Sequence, residues 1–207
     1  MTHLIFLPGA SGSTEFWQPL IELLSADYTV QVIAYPGFGQ EPAQNEVYDF
    51  NSLSDYVLDQ IQQDSVLIAQ SMGGIFAIQA ALKKSNLIKA MVLIATSGGI
   101  DLSPFEVEDW RTAYKNQFLN YPDWFSTVQL DYSSQLSAIQ QKTLLLWGDA
   151  DPISPVAVGQ YLHQTLKDSS FQVIQGGDHL FAAQHATETA AWVSDFLNSL
   201  ESRARDS

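Results

Sequence analysis

Short runs of apolar residues alternate along this chain with longer stretches in which apolar residues recur every three or four positions. The short runs predict six β-strands, at residues 3–7, 29–33, 65–69, 90–95, 143–147 and 171–174. The longer stretches predict helices at residues 14–24, 52–62, 72–82, 155–166 and 187–200. Strands and helices that alternate in this way favour an α/β fold, with a mostly parallel six-stranded sheet and helices on both of its faces.

One segment, residues 97–141, interrupts the alternation between the fourth and fifth predicted strands. Four of its aromatic residues are spaced as i, i+4, i+8 and i+11, which predicts one face of a helix. They are Trp110, Tyr114, Phe118 and Tyr121. Such a face packs against the rest of the protein or lines a pocket, and both can hold at once. We therefore divide the chain into a core of residues 1–96 and 142–200, an insertion at 97–141 and a polar tail at 201–207, which we expect to be frayed.

Ser71 lies where a predicted strand gives way directly to a predicted helix. The apolar run at 66–69 is followed by Gln70 and Ser71, and two small residues, Gly73 and Gly74, come next. A sharp turn between strand and helix lifts a serine hydroxyl clear of the backbone, and small neighbours let the two elements approach closely. A turn of small residues is also common without a catalytic role, so the motif alone leaves both interpretations open.

Two more polar groups follow predicted strands further along the chain. Asp151 lies in an acidic turn after the strand at 143–147, and His179 ends a glycine-rich loop after the strand at 171–174. Because parallel strands end at the same edge of a sheet, Ser71, Asp151 and His179 can converge there. A serine nucleophile needs a base, and the base needs a group that orients it. Asp149, in the same turn as Asp151, competes for that last role.

With Ser, Asp and His in this order, each just past a strand, the chain resembles the α/β-hydrolase family over nearly its whole length. The resemblance rests on the serine turn at 69–74, the acidic turn at 148–151, the histidine loop at 176–180 and the segment 4–13, which is similar to the family's first strand and oxyanion loop. The chain departs from the family at Ala69, where Gly is usual, and at Pro8, where many members carry His.

The resemblance implies roles for particular residues. Ser71 corresponds to the nucleophile, His179 to the base and Asp151 to the acid that orients it. Asp149 is then expected to be a turn residue that hydrogen-bonds to its own backbone.

The resemblance also implies an oxyanion hole and a lid. The backbone N–H groups of Ala10 and Met72 correspond to the oxyanion donors, and residues 97–141 correspond to a small helical lid over the active site. Neither a metal ion nor a cofactor is implied. The lid residues that we expect to contact the substrate are Trp110, Tyr114 and Phe118.

Within the family the chain is most similar to small capped carboxylesterases, which include the pimeloyl-carrier-protein methyl esterase group. This implies a serine hydrolase that cleaves a carboxylic ester through an acyl-enzyme, with an apolar acyl group of short to medium length. The same machinery serves thioesterases and acyltransferases that act on carrier-linked acyl groups, and a lyase of the menaquinone-pathway type, so these remain alternatives. A complete Ser-Asp-His set disfavours a non-catalytic binding protein.

The chain is strongly acidic, with 9 Lys and Arg against 23 Asp and Glu in 207 residues and a formal charge of −14. This charge repels phosphate backbones and anionic lipid, so we expect neither nucleic acid nor a membrane as partner. The resemblance implies a small-molecule ester as the partner instead. An acidic carrier protein would also be repelled unless a local basic patch intervened. Arg111 and Lys115 are the candidate patch in the lid, and Glu108 is the expected ion partner of Arg111.

Cysteine is absent, so neither a disulfide nor a thiolate metal site is possible. The first apolar run is short, with no basic residue before it, and no run reaches the roughly 20 apolar residues that cross a membrane. We therefore expect a cytoplasmic protein of one domain, and leave the oligomeric state open.

Overall fold

The computed structural model describes residues 2–24 and 26–205. Six strands of the described chain form one sheet: β1 (His3–Leu7), β2 (Thr29–Val32), β3 (Ser65–Gln70), β4 (Ile88–Ile94), β5 (Lys142–Gly148) and β6 (Ser169–Ile174). Their order in the sheet is β2-β1-β3-β4-β5-β6, and every neighbouring pair is parallel. The predicted six-stranded parallel sheet is confirmed.

The helices of the described chain are α1 (Gln18–Ile21), α2 (Phe50–Asp59), α3 (Met72–Lys83), α4 (Trp110–Gln117), α5 (Trp124–Thr127), α6 (Val156–Thr165), α7 (Phe181–Gln184) and α8 (Ala186–Arg205). Short 3₁₀ segments cover Glu15–Trp17 and Ser133–Ala138. None of the described helices is both long and apolar enough to cross a membrane.

The sheet separates two apolar cores because successive strand residues point to opposite faces. On one face Ile5 and Leu7 pack with apolar residues of α2, α3 and α6. On the other face Leu4 and Phe6 pack with apolar residues of α1, α7 and α8. The prediction of helices on both faces is therefore confirmed.

Two helices begin two or more residues away from their predicted starts. The stretch predicted as one helix at 14–24 is a 3₁₀ turn followed by α1, because Pro19 inside a longer helix would clash with the preceding turn, whereas in α1 it falls in the first turn. Helix α2 begins at Phe50 rather than at Ser52, because Asp49 caps it. The Asp49 carboxylate accepts from the Ser52 N–H at 2.7 Å, and the Ser52 hydroxyl accepts from the Asp49 N–H at 3.0 Å.

The final helix is longer than predicted. Helix α8 runs through Arg205, so residues 201–205 continue the helix instead of forming a frayed tail, and residues 206 and 207 lie outside the described residues. Leu197 is buried in the core and Leu200 packs against it, which anchors the helix up to its polar end. Residues 201–205 contain neither Gly nor Pro, so nothing in that sequence stops the helix.

The insertion at residues 97–141 carries α4, α5 and the second 3₁₀ segment, and lies at the carboxyl edge of the sheet. The Tyr132 N–H donates to the Gly99 carbonyl at 3.0 Å, so the later part of the insertion is tied back to the point where it leaves the core. From α4, the Tyr114 hydroxyl donates to the Ala10 carbonyl in the loop after β1, at 2.8 Å. The insertion therefore contacts the loop that follows β1 at this edge of the sheet.

Candidate active site

Ser71 occupies a strained turn between β3 and α3. Its backbone has φ 52° and ψ −120°, a conformation that residues other than glycine rarely adopt. The turn is possible because no side chain intervenes: a methyl group on Gly73 would overlap the Leu7 carbonyl, and one on Gly74 would overlap the Thr96 side chain. The predicted need for small residues after the serine is confirmed.

The structure brings Ser71, His179 and Asp151 together. His179 Nε2 lies 3.0 Å from Ser71 Oγ, and His179 Nδ1 lies 2.8 Å from Asp151 Oδ2. The Asp151 side chain is buried, and its other oxygen accepts from the backbone N–H groups of Ile153 and Ser154 at 2.8 and 3.0 Å. A hydroxyl bound to an imidazole that is bound in turn to a buried carboxylate is the arrangement that activates a serine for attack on a carbonyl.

Asp149 has a different partner from the one predicted. Its carboxylate accepts a hydrogen bond from the backbone N–H of Gly176, in the loop after β6, at 2.6 Å. Within the described residues the carboxylate makes no hydrogen bond to its own turn, so the prediction that Asp149 bonds there is wrong. The bond joins the acidic turn to the loop that carries His179.

Two buried polar residues that the sequence did not single out hold these groups in place. Gln70 donates from its side-chain amide to the His179 carbonyl at 3.0 Å, and the Thr96 hydroxyl donates to the Ser71 carbonyl at 2.6 Å. Gln70 is a polar residue at the end of an otherwise apolar strand, next to Ser71. This position could have indicated from the sequence that Gln70 belongs to the site. Thr96 follows β4, and only the sheet order places it beside Ser71.

The backbone N–H groups predicted as oxyanion donors are both without an acceptor within the described residues. Met72 is the first residue of α3, where an N–H has no partner inside the helix. Ala10 lies in the loop after β1 and lines the cleft above Ser71. The parallel pairing of β1 with β3 brings the two loops to the same edge of the sheet.

A cleft of about 1190 Å³ opens between the insertion and the loops of the core, with Ser71 and His179 in its wall. Trp110, Tyr114 and Phe118, the predicted substrate contacts, line it, and Phe125 from α5 adds a fourth ring from the insertion. The predicted helical stripe is shorter than expected. Helix α4 ends at Gln117, so Phe118 and Tyr121 lie beyond it, where their rings stack with centroids 4.6 Å apart.

The charged residues that line the cleft are mostly acidic: five carboxylates accompany the single guanidinium of Arg111. The carboxylates are those of Asp101, Glu108, Asp109, Asp131 and Asp178. Hydrogen bonds from Ser103 and Ser133 lower the pKa of Asp101 and of Asp131 respectively, so both carry a charge at neutral pH.

Arg111 is not paired with Glu108. Within the described residues no ion pair joins the two, so the predicted ion partner is wrong. The guanidinium instead lies over the Trp110 ring, 4.9 Å from its centroid, and donates from Nε to the Ser126 carbonyl at 3.2 Å. Lys115, the other residue of the candidate basic patch, does not line the cleft.

Within residues 2–24 and 26–205, no group of three or more His, Asp or Glu side chains is placed to hold a metal ion.

A parallel sheet flanked by helices, with a serine turn after β3 and an acid and a histidine after β5 and β6, defines a hydrolase fold with a serine site. The chain belongs to the α/β-hydrolase fold family, whose model matches residues 2–131. That match includes Ser71 and ends before Asp151 and His179.

Relatives and solved structures extend the likeness to the rest of the chain. A pimeloyl-[acyl-carrier protein] methyl ester esterase of Legionella pneumophila is 22% identical, with 94% of this chain and 94% of that protein covered. The structure of a membrane phospholipase A superposes with a TM-score of 0.81 at 20% identity, covering 97% of this chain and 79% of that one. An esterase from Thermogutta terrifontis superposes with a TM-score of 0.79 at 19% identity, covering 97% and 90%. The fold and the family predicted from the sequence are confirmed.

Proposed function

We propose that this protein is a serine esterase that hydrolyses neutral carboxylic esters through an acyl-enzyme. The observation that carries the proposal is the continuous hydrogen-bonded series Ser71–His179–Asp151, of which Ser71 and His179 lie in the wall of an aromatic cleft. In the first step Ser71 Oγ attacks the ester carbonyl while His179 Nε2 takes the hydroxyl proton. The tetrahedral intermediate collapses, the C–O bond to the alcohol breaks, and His179 returns the proton to the leaving alcohol.

The second step releases the acid. Water attacks the acyl-enzyme with His179 again as the base, and the acyl–Ser71 bond breaks to regenerate the hydroxyl. Asp151 accepts from the Nδ1–H of His179 throughout, so that Nε2 faces the serine and the imidazolium is stabilised. The N–H groups of Ala10 and Met72 meet the developing oxyanion, and one such donor contributes about 3 kcal/mol to lowering the barrier.

The cleft supports the choice of substrate. Aromatic rings line its lid side, so an apolar acyl chain can be buried there. Five carboxylates against one guanidinium give its walls a net negative charge, which opposes an anionic substrate. An uncharged ester with a short to medium acyl chain meets both conditions.

A second candidate is hydrolysis of a methyl ester on an acyl group that is carried by an acyl-carrier protein. The observation that favours it is the name shared by several relatives, pimeloyl-[acyl-carrier protein] methyl ester esterase. The acidic walls of the cleft oppose it, because carrier proteins are themselves acidic. Arg111 and Lys115 on α4 are the cations that such a carrier would have to contact.

The test is a panel of p-nitrophenyl esters of rising acyl length together with an acyl-carrier methyl ester. Wild type should turn over the small esters, and Ser71→Ala should not. The double variant Arg111→Glu with Lys115→Glu should retain kcat/KM for the small esters. Lys83→Glu with Lys167→Glu makes the same charge change at the opposite edge of the sheet and is the matched control. A carrier substrate that is preferred by wild type, and loses its advantage only in the first double variant, would establish the second candidate instead.

A further inference from the structure

Four consecutive carbonyl groups in the loop after β1 each accept a hydrogen bond. Three of the four donors are tyrosine hydroxyls. The pairs are Pro8 with the Tyr35 hydroxyl (2.8 Å), Gly9 with the Gly12 N–H (3.0 Å), Ala10 with the Tyr114 hydroxyl (2.8 Å) and Ser11 with the Tyr121 hydroxyl (2.9 Å). The loop is therefore held peptide by peptide from one end to the other.

These bonds fix the direction of the N–H group of Ala10. That N–H shares a planar peptide unit with the Gly9 carbonyl and points away from it. The bond from Gly12 sets the orientation of this peptide, and the bonds to Pro8 and Ala10 hold the peptides on either side. The Ala10 N–H is left without an acceptor within the described residues, so it is free to donate into the cleft.

The three tyrosines come from different parts of the fold. Tyr35 is fully buried beneath the sheet edge, whereas Tyr114 lies in α4 and Tyr121 in the turn beyond it. Two of the four bonds that hold the loop are thus made by the lid. Burial raises the pKa of Tyr114, so its hydroxyl keeps its proton and remains a donor at neutral pH.

We infer that Tyr114 is a positioning residue for the oxyanion site, with Tyr121 in support, so that the lid completes the site instead of only covering it. The inference rests on the proposed function, because it gives the Ala10 N–H the task of stabilising the oxyanion. The ring of Tyr114 faces the cleft, as predicted for a substrate contact, while its hydroxyl is committed to the loop.

Loss of the Tyr114 hydroxyl should act on kcat more than on KM. The ring of a phenylalanine in its place still lines the cleft, so ground-state binding is retained. The Ala10 carbonyl loses its donor, and the loop gains freedom to turn the neighbouring N–H away from the oxyanion. Displacing a group in an active site by about 1 Å can cost roughly 10²-fold in rate. We therefore expect kcat to fall about 10- to 100-fold in Tyr114→Phe.

The matched control is Tyr132→Phe. Tyr132 also belongs to the insertion, but its hydroxyl accepts from the Gln79 side-chain amide at 2.8 Å. Within the described residues it makes no hydrogen bond to the loop after β1. Both variants are compared with wild type in steady-state hydrolysis of a p-nitrophenyl ester. Both are also titrated with an alkyl trifluoromethyl ketone, whose hemiketal with serine carries an oxyanion, and with the corresponding alcohol, which has none.

The expected result is that Tyr114→Phe loses kcat and trifluoromethyl-ketone affinity by the same factor, within about threefold. KM and affinity for the alcohol should change by less than about threefold, and Tyr132→Phe should match wild type in all four measurements. Full kcat in a folded Tyr114→Phe, or a loss confined to KM, overturns the inference.

If Tyr114→Phe does not fold, Tyr121→Phe takes its place and should show the same parallel loss, because it frees the adjacent carbonyl. Inactive wild type, or wild type as active as Ser71→Ala, would instead count against the proposed function.

Discussion

The carboxylate of Asp149 accepts from the backbone N–H of Gly176 at 2.6 Å. Two residues further on, Asp151 binds the His179 ring at 2.8 Å from Nδ1. One acidic turn therefore supplies two carboxylates with separate tasks: the first joins two loops, and the second orients the imidazole. The two are distinguishable by experiment because only Asp151 contacts the histidine side chain.

Asp151→Asn is expected to lower kcat by roughly 10⁴-fold, because an amide in this place favours the wrong tautomer of His179. Asp149→Asn is the matched variant in the same turn. It should lower kcat by less than about tenfold, and lower the free energy of unfolding by about 1 kcal/mol through the weaker bond to Gly176. Steady-state kinetics and urea unfolding measure the two effects. A larger loss of kcat at Asp149 would reverse the assignment of the two acids.

Ser71→Ala is expected to lower kcat by about 10⁴- to 10⁶-fold while leaving the far-UV circular dichroism spectrum unchanged, since the groups of a catalytic triad act as a unit. A fluorophosphonate probe should label wild type at Ser71, as located by peptide mass spectrometry, and should leave the variant unlabelled. Labelling of a different serine in wild type would show that the nucleophile lies elsewhere.

Trp110→Ala should weaken the preference for longer acyl chains. Each methylene buried against the lid contributes about 0.8 kcal/mol, or roughly fourfold in kcat/KM. We expect wild-type kcat/KM to rise along the acyl series from acetate to hexanoate, and the rise to be flatter in Trp110→Ala. Leu119→Ala is the control, because Leu119 lies in the same insertion but is 80% exposed and does not line the cleft. Equal chain-length profiles for Trp110→Ala and Leu119→Ala would place the acyl chain elsewhere.

Gly73→Ala should destabilise the protein by about 3 kcal/mol or more, because the new methyl group would overlap the Leu7 carbonyl in β1 and the strand would have to move. Gly176→Ala gives the comparison. Gly176 has φ +71°, and a side chain there meets no atom within 4 Å, so only the backbone conformation costs about 1–2 kcal/mol. Urea unfolding should rank wild type above Gly176→Ala and Gly176→Ala above Gly73→Ala. The reverse order would mean that β1 and α3 are not in close contact.

Stability should fall as the pH rises above about 10. Burial raises the pKa of Tyr35 and of Tyr114 in the folded protein, whereas a tyrosine in the unfolded chain ionises near pH 10. Below that pH both tyrosines are protonated in the folded and in the unfolded state, so the free energy of unfolding does not depend on their ionisation. Above it the unfolded state loses protons that the folded state retains, so the free energy of unfolding decreases. Urea unfolding between pH 9 and 11 should show a smaller decrease in Tyr35→Phe, and an unchanged decrease in Tyr48→Phe, where the side chain is 70% exposed.

The strands could be predicted because they depend on the local pattern of apolar residues. The convergence of Ser71, Asp151 and His179 could be predicted because parallel strands end at the same edge of a sheet. Apolar runs mark buried parallel strands, and groups that follow such strands meet at one edge of the sheet. The catalytic roles of the three residues stay predictions. The capped start of α2 was also available from the sequence, since Asp49 and Ser52 have the spacing of a capping box.

The supporting hydrogen bonds could not be predicted, because each joins residues far apart in the chain. Gln70 and His179 are separated by 109 positions, and Tyr114 and Ala10 by 104. Their contacts depend on the path of individual loops, which hydrophobic periodicity does not encode. The aromatic stripe shows the same limit: the periodic spacing continues to Tyr121, but the helix ends at Gln117.

The direction of the strands also decides how the protein can be attached to a solid support. All six run the same way, so the proposed active site occupies one edge of the sheet and the other edge carries no part of it. Lys83, Lys89 and Lys167 lie at that other edge and are exposed, whereas Lys115 is the one lysine in the lid. Coupling through amines on an activated resin would therefore hold most molecules with the cleft facing the liquid. Replacing Lys115 with Gln would make that orientation uniform without altering any residue that lines the cleft.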